Sequence, residues 1–158
     1  LAIVGPEGWG ATELDDLANV PELAGRVVKL GHVPEDDLVQ LYRAATALVY
    51  PSLYEGFGLP PLEAMQSGCP TIVSQTSSLP EVVGDAGLLV DPNDPGELAA
   101  RMLQVAQDGE LGIALMQKGL ARAQSFSWQR TAETTLGGYD RARSRRSRVG
   151  RRSLGPLL

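Results

Sequence analysis

An α/β fold, built on a parallel sheet with helices on both faces, is predicted by three observations in this sequence. Short apolar runs recur from end to end, helix-periodic stretches alternate with them, and glycine or proline marks most of the changeovers. With 158 residues, 43% of them hydrophobic, the chain suits one domain with a substantial core.

The elements follow in order. LAIV (1–4) reads as a buried strand ended by GPEGWG, and TELDDLANV follows as a helix. VVKL (27–30) is the next strand, then PEDDLVQLYRAA, in which Leu38, Leu41, Tyr42 and Ala45 share one helical face. ALVYP (47–51), PTIVS (70–74) and GLLV (87–90) complete the strands. Pro60 and Pro61 suit the start of a helix that runs to Gly68. Ser78-Leu79-Pro80-Glu81 has capping-box spacing, and Asp94-Pro95-Gly96-Glu97 repeats it before a helix carrying Leu98, Met102, Val105 and Ala106. Gly109 ends that helix, another runs to about Ala123, and Ser127 caps a last one from Trp128. No internal repeat is visible.

Composition excludes several classes. No run is apolar and long enough to span a membrane, and the chain does not open with a secretory signal. One cysteine, Cys69, rules out an internal disulfide framework and fits a reducing, cytoplasmic setting as a buried thiol. The net charge of −5 is uneven: residues 141–152, RARSRRSRVGRR, hold seven of the fourteen basic residues and no acid. The acidic body before them makes a poor nucleic-acid binder, so any polyanion contact rests on this tail. Residues 141–158 read as a basic, disordered tail, solvated or lying peripherally on an anionic inner membrane face, and residues 1–140 as the folded domain.

Ligands of such sheets bind beyond the carboxyl ends of the strands. Loops 5–10, 31–34 and 52–60 qualify. The first does not match GxGxxG and reads as a glycine turn sooner than as a phosphate cradle. The third, EGFGLPPLE, sets Glu55 and Glu63 seven residues apart across a stiff corner. Gly56 and Gly58 allow a sharp turn and close ligand approach. The amides of Phe57, Gly58 and Leu59 are then free to point outward at a helix start, toward an anion or sugar hydroxyls. Glu63, read as a first-turn residue, could simply offset the helix dipole or cap the helix. Its capping partner would be Leu59, at the wrong spacing, or Pro60, which has no N–H. For Glu55 no structural duty is evident, so the pair points to a ligand.

PSLYEGFGLPPLEAMQSGCPTIVS resembles the E-x7-E motif of retaining, family-four-like (group 1) glycosyltransferases. The resemblance continues through LGHVPEDDLVQLYRAATALVYPS, SSLPEVVGDAGLLVDPNDPGELAARM and FSWQRTAETTL, over about residues 1–140. It implies a GT-B fold, of which this chain would be the donor-binding C-terminal half without its first strand and helix. It also implies that Glu55 holds the donor sugar at the reacting carbon and Glu63 accepts from the ribose. Gly56 and the Phe57–Leu59 amides would meet the sugar and distal phosphate, and His32 and Val33 the base, largely by backbone. The family's phosphate-binding Arg and Lys would precede Leu1; Arg26 and Lys29 are not their equivalents. No metal or other cofactor is implied, and the chain has no DxD or histidine cluster.

The reading is thus a retaining transferase moving a hexosyl group from a nucleotide-sugar. The SSLPEVVGDAGLLVDP run most resembles mannosyltransferases that use GDP-mannose. A sugar or lipid-linked acceptor would be chosen by an N-terminal domain, so the chain alone is expected to be inactive. The alternative is a non-catalytic nucleotide-sugar binding or interaction module on the same fold.

Overall fold

The computed structural model describes residues 1–6, 16 and 20–150, without the side chains of 145–150. All five strands form within a residue of their expected bounds: β1 (Ala2–Val4), β2 (Val28–Gly31), β3 (Leu48–Tyr50), β4 (Thr71–Ser74) and β5 (Gly87–Val90). The helices are α1 (Glu35–Ala44), α2 (Leu59–Gln66), α3 (Leu79–Val83), α4 (Pro95–Gln107), α5 (Gly109–Ala123) and α6 (Trp128–Gly150). The helix expected over residues 12–20 lies, apart from Asp16 and Val20, outside the described residues, as does most of the loop at 5–10.

Every strand pairing is parallel, but the strands form two ladders, β1–β2 and β3–β4–β5.

Register explains how helices come to cover both faces. Val49, Ile72 and Leu88 lie in one cross-strand row, and Tyr50, Val73 and Leu89 in the next. Neighbouring rows face opposite sides. The first row packs with Val105 of α4 and Leu115 of α5. The second packs with Leu62 and Met65 of α2 and Leu79, Val82 and Val83 of α3. Each fully buried side chain of this kind, such as Ile72 or Met65, contributes about 1.5–3 kcal/mol. A smaller cluster of Tyr42, Ala64 and Cys69 joins α1 to α2. Gly87 sits opposite Thr71, and a Cβ there would lie 2.7 Å from Thr71 Oγ1, so the middle of the sheet accepts no side chain at that point.

The helix ends bear out most of the expected signals and revise others. Asp94 Oδ1 accepts the Glu97 amide, as the motif requires, but the Glu97 carboxylate accepts from the Asp91 amide and not from Asp94. Asp108 closes α4, one residue before the expected stop, and its carboxylate caps α5 through the Leu111 amide. Ser127 accepts the Arg130 amide at the start of α6.

The tail departs from expectation. α6 does not stop at Asp140 but continues to Gly150, ten residues into the stretch expected to be disordered. Residues 139–149 contain neither glycine nor proline, and alanine and arginine are good helix formers, so nothing breaks the helix before Gly150. Up to Ser144 the helix is exposed apart from half-buried Gly137 and Gly138. Residues 151–158 lie outside the described part. No helix among the described residues is long and apolar enough to cross a membrane.

Candidate functional site

The turn from β3 into α2 is fixed by Gly58. Its φ of 108° and ψ of 52° suit glycine alone, and a Cβ there would lie 2.8 Å from Leu79 Cδ2. Gly56 differs: a Cβ there would meet nothing within 4 Å, so its value is an open backbone and not a special torsion. α2 begins at Leu59, with Pro60 and Pro61 in its first turn. No hydrogen-bond acceptor for the Phe57, Gly58 or Leu59 amides occurs among the described residues, as expected of amides ahead of a helix.

Glu63 lies beyond the first turn, which holds no acidic residue, and not within it as the sequence suggested. With Leu59 as the first helical residue, Glu63 is one position too far along. The dipole effect fades after one turn, so the structural explanation for this exposed carboxylate weakens further.

Both glutamates meet tyrosines. Glu55 Oε1 accepts the Tyr50 hydroxyl at 2.6 Å, within the range of charge-assisted O–H···O⁻ bonds, and the Ser52 hydroxyl at 2.9 Å. Glu55 is half-buried. Among the described residues no partner meets its Oε2. Tyr42 of α1 donates to Glu63 Oε2 at 3.4 Å, a long and weak bond. Burial, then the hydrogen bond and charge of Glu55, then the charge of Glu63, push the Tyr50 hydroxyl up to about 12. Burial and Glu63 raise Tyr42 as well. Tyr50 thus donates to Glu55 alone, while Glu63 meets Tyr42.

The corner is braced on its far side. The Phe57 ring meets Phe126 edge-on at 6.1 Å, and the Arg122 guanidinium lies 4.9 Å over the Phe126 ring. Arg122 also donates to the carbonyls of Glu81 and Val82 near the end of α3. Ser78, expected to cap α3, makes no capping bond; its hydroxyl turns to the Phe57 carbonyl at 2.7 Å.

The other candidates stand apart. His32 and Val33 follow β2 at its carboxyl end, in the separate two-stranded ladder. No hydrogen bond or ring contact among the described residues joins them to Glu55 or Glu63. Cys69 is buried, its thiol pushed up by that burial, as its reading as an inert core residue requires. Sequence reasoning missed Tyr50, Ser52, Thr76 and Ser77. A tyrosine closing an otherwise aliphatic strand beside the motif, ALVYPS, was the available signal for the first two.

The family model for glycosyl transferases group 1 matches residues 1–108. The chain belongs to this family. It is 46% identical over 139 residues to the O-antigen chain mannosyltransferase B of Escherichia coli, covering 88% of this chain and 36% of that protein. Sucrose-phosphate synthase from Thermosynechococcus elongatus superposes with a TM-score of 0.79 and 30% identity, over 91% of this chain and 38% of that one. Anabaena Alr3699/HepE, in complex with UDP-glucose, superposes with a TM-score of 0.76 and 27% identity, over 86% and 40%. The fold is the Rossmann-like α/β half of the GT-B arrangement. The chain thus spans a little over a third of the lengths of these proteins.

Proposed function

We propose that this chain is the donor-binding part of a retaining glycosyltransferase that moves a hexosyl group, with mannose favoured, from a nucleotide-sugar to an acceptor. The observation that carries the reading is half-buried Glu55, held by Tyr50 and Ser52, and exposed Glu63 of α2, on either side of a turn whose Phe57–Leu59 amides have no acceptor among the described residues. Family membership, the name of the E. coli relative and the UDP-glucose bound by HepE support it.

Each group has a task set by its chemistry. Glycosyl transfer passes through an oxocarbenium-like state while a nucleoside diphosphate departs. Positive charge grows at the sugar, where Glu55 Oε2 orients hydroxyls and lies close enough to stabilise it. Negative charge grows on the leaving phosphate, where the Phe57–Leu59 amides face it. Glu63 accepts from the ribose, and the backbone at His32 and Val33 meets the base. The donor is GDP-mannose, and no metal or other cofactor takes part. A further domain supplies the sugar or lipid-linked acceptor and closes the cleft, so the chain alone binds nucleotide weakly and turns over nothing. The protein works in the cytoplasm, with the arginine-rich end of α6 turned toward an anionic membrane face.

The test is a panel of nucleotide-sugars offered to the complete protein, with product anomers resolved. GDP-mannose should be the best donor and the product should retain its configuration. Glu55→Gln, which keeps the shape, should lower turnover on the order of a hundredfold or more with a smaller change in nucleotide affinity. Inverted product, or near-normal turnover in the variant, would overturn the mechanism.

A further inference from the structure

We propose that Thr76, Ser77 and Ser78, which directly follow β4 and Gln75, form a hydroxyl clamp that positions the loop bearing Glu55. The proposal rests on the reading of Glu55 as the residue that holds the donor sugar. Among the described residues, the loop at 51–57 makes no backbone–backbone hydrogen bond to any other segment. Side-chain hydroxyls take over that task. Thr76 donates to the Leu53 carbonyl at 3.2 Å and Ser78 to the Phe57 carbonyl at 2.7 Å. Between them, Ser77 Oγ accepts the Glu55 amide at 2.9 Å and lies 3.0 Å from the Glu55 carbonyl, to which it donates. Ser78 Oγ also lies 3.1 Å from the Glu55 carbonyl and Thr76 Oγ1 3.4 Å from that of Ser52, so three consecutive hydroxyls hold the loop between 52 and 57.

Such an arrangement is impossible for an extended strand, whose successive side chains face opposite ways. Ser77 resolves this by adopting φ of 53°, the one positive φ of a non-glycine among the described residues. A residue other than glycine persists in that region only where its surroundings over-determine it, and such positions cluster at functional sites. Here the surroundings are the two bonds to Glu55. Tyr50 and Ser52 fix one carboxylate oxygen of Glu55, while Ser77 fixes its backbone. Together they set where Oε2 lies. Ser77 is a positioning residue; it acts through Glu55.

The experiment uses the complete protein and follows two independent readouts: hydrogen exchange of the Glu55 amide, and kcat against nucleotide affinity. Ser77→Gly tolerates the positive φ but removes both bonds, so a loss of function in it does not stem from strain. The Glu55 amide should exchange at least about tenfold faster in this variant and in Ser77→Ala. For the same variants kcat should fall about ten- to a hundredfold, with nucleotide affinity within about twofold of wild type. Ser78→Thr, which keeps its hydroxyl, should retain the activity that Ser78→Ala loses. Unchanged Glu55 exchange in Ser77→Gly would overturn the clamp, as would unchanged kcat or a parallel loss of nucleotide affinity. Should the wild type transfer no sugar from any donor, the donor reading fails while the exchange measurement still decides the clamp.

Discussion

Gly58→Ala separates two roles that the motif's glycines were first given together. At residue 58 an alanine must hold φ near 108°, at a cost of about 1–3 kcal/mol. Its Cβ must also come within 2.8 Å of Leu79 Cδ2. Leu79 is fully buried in the cluster under α2 and α3, so its methyl has nowhere to retreat without disturbing Met65 or Val82. Overpacking of that kind adds about 1–3 kcal/mol. The two effects together amount to about 2–6 kcal/mol, a large share of the 5–15 kcal/mol by which a domain is stable. Gly56→Ala is the control: no atom lies within 4 Å of its Cβ and its φ is not positive, so its effect should stay within about 0.5 kcal/mol. Urea midpoints of the two variants and the wild type measure the difference. Equal midpoints for the two variants would refute the claim that Leu79 and the backbone torsion fix the turn.

Three further outcomes are expected. Glu63→Ala should weaken nucleotide binding by about 1.5–3 kcal/mol without loss of fold, because the carboxylate's hydrogen bond is the 3.4 Å one from Tyr42; equal affinity in titration calorimetry would remove its role. Tyr50 titrates at about 12 in the folded chain against 10.0 for a free phenol, so above pH 10 the unfolded chain binds fewer protons than the native one. Stability should therefore fall as pH rises from about 10 to about 12, less steeply in Tyr50→Phe, and identical slopes of urea midpoint against pH would contradict this. Removal of everything after Asp140 should leave the fold's midpoint within about 0.5 kcal/mol, since residues 141–144 are exposed. The same truncation should abolish binding to anionic vesicles, worth about 1 kcal/mol per contributing arginine; binding that persists would place the contact elsewhere.

The strands were legible because each is a short apolar run bounded by turn residues; helices on both faces explain such runs in β3 to β5, whereas LAIV, read as a buried strand, is largely exposed. Caps at Asp94, Asp108 and Ser127 follow from local chemistry; the sequence points to Asp94 and Ser127, and at Asp108 the neighbouring Gly109 is the more conspicuous stop. The last helix was misjudged because composition rich in arginine and serine suggested solvation, whereas alanine and arginine are good helix formers and no glycine or proline interrupts residues 139–149. Within the site, the two glutamates and the free amides could be read from EGFGLPPLE. Their supports could not. Ser78 had a plausible local partner in its own helix, and only the approach of the loop at 51–57, which follows the neighbouring strand β3, gives its hydroxyl a better one. Ser77 carries no signal in the sequence, because its torsion is imposed by the residues that it holds.

The separation of the sheet into two ladders has an energetic consequence for any ligand that spans them. Among the described residues, neither β1 nor β2 contributes to the three buried clusters, and Val4, Val28 and Leu30 are exposed. A two-stranded ladder is marginal alone, so the described part of the core does little to restrain the loop at His32. A nucleotide reaching from that loop to Glu63 would tie a lightly anchored body to a firmly packed one. Its contacts would then be offset by ordering entropy, and binding would carry the negative heat-capacity change of a small folding event. On the proposed donor reading, affinity for the base would then depend on temperature more steeply than affinity for the ribose and sugar.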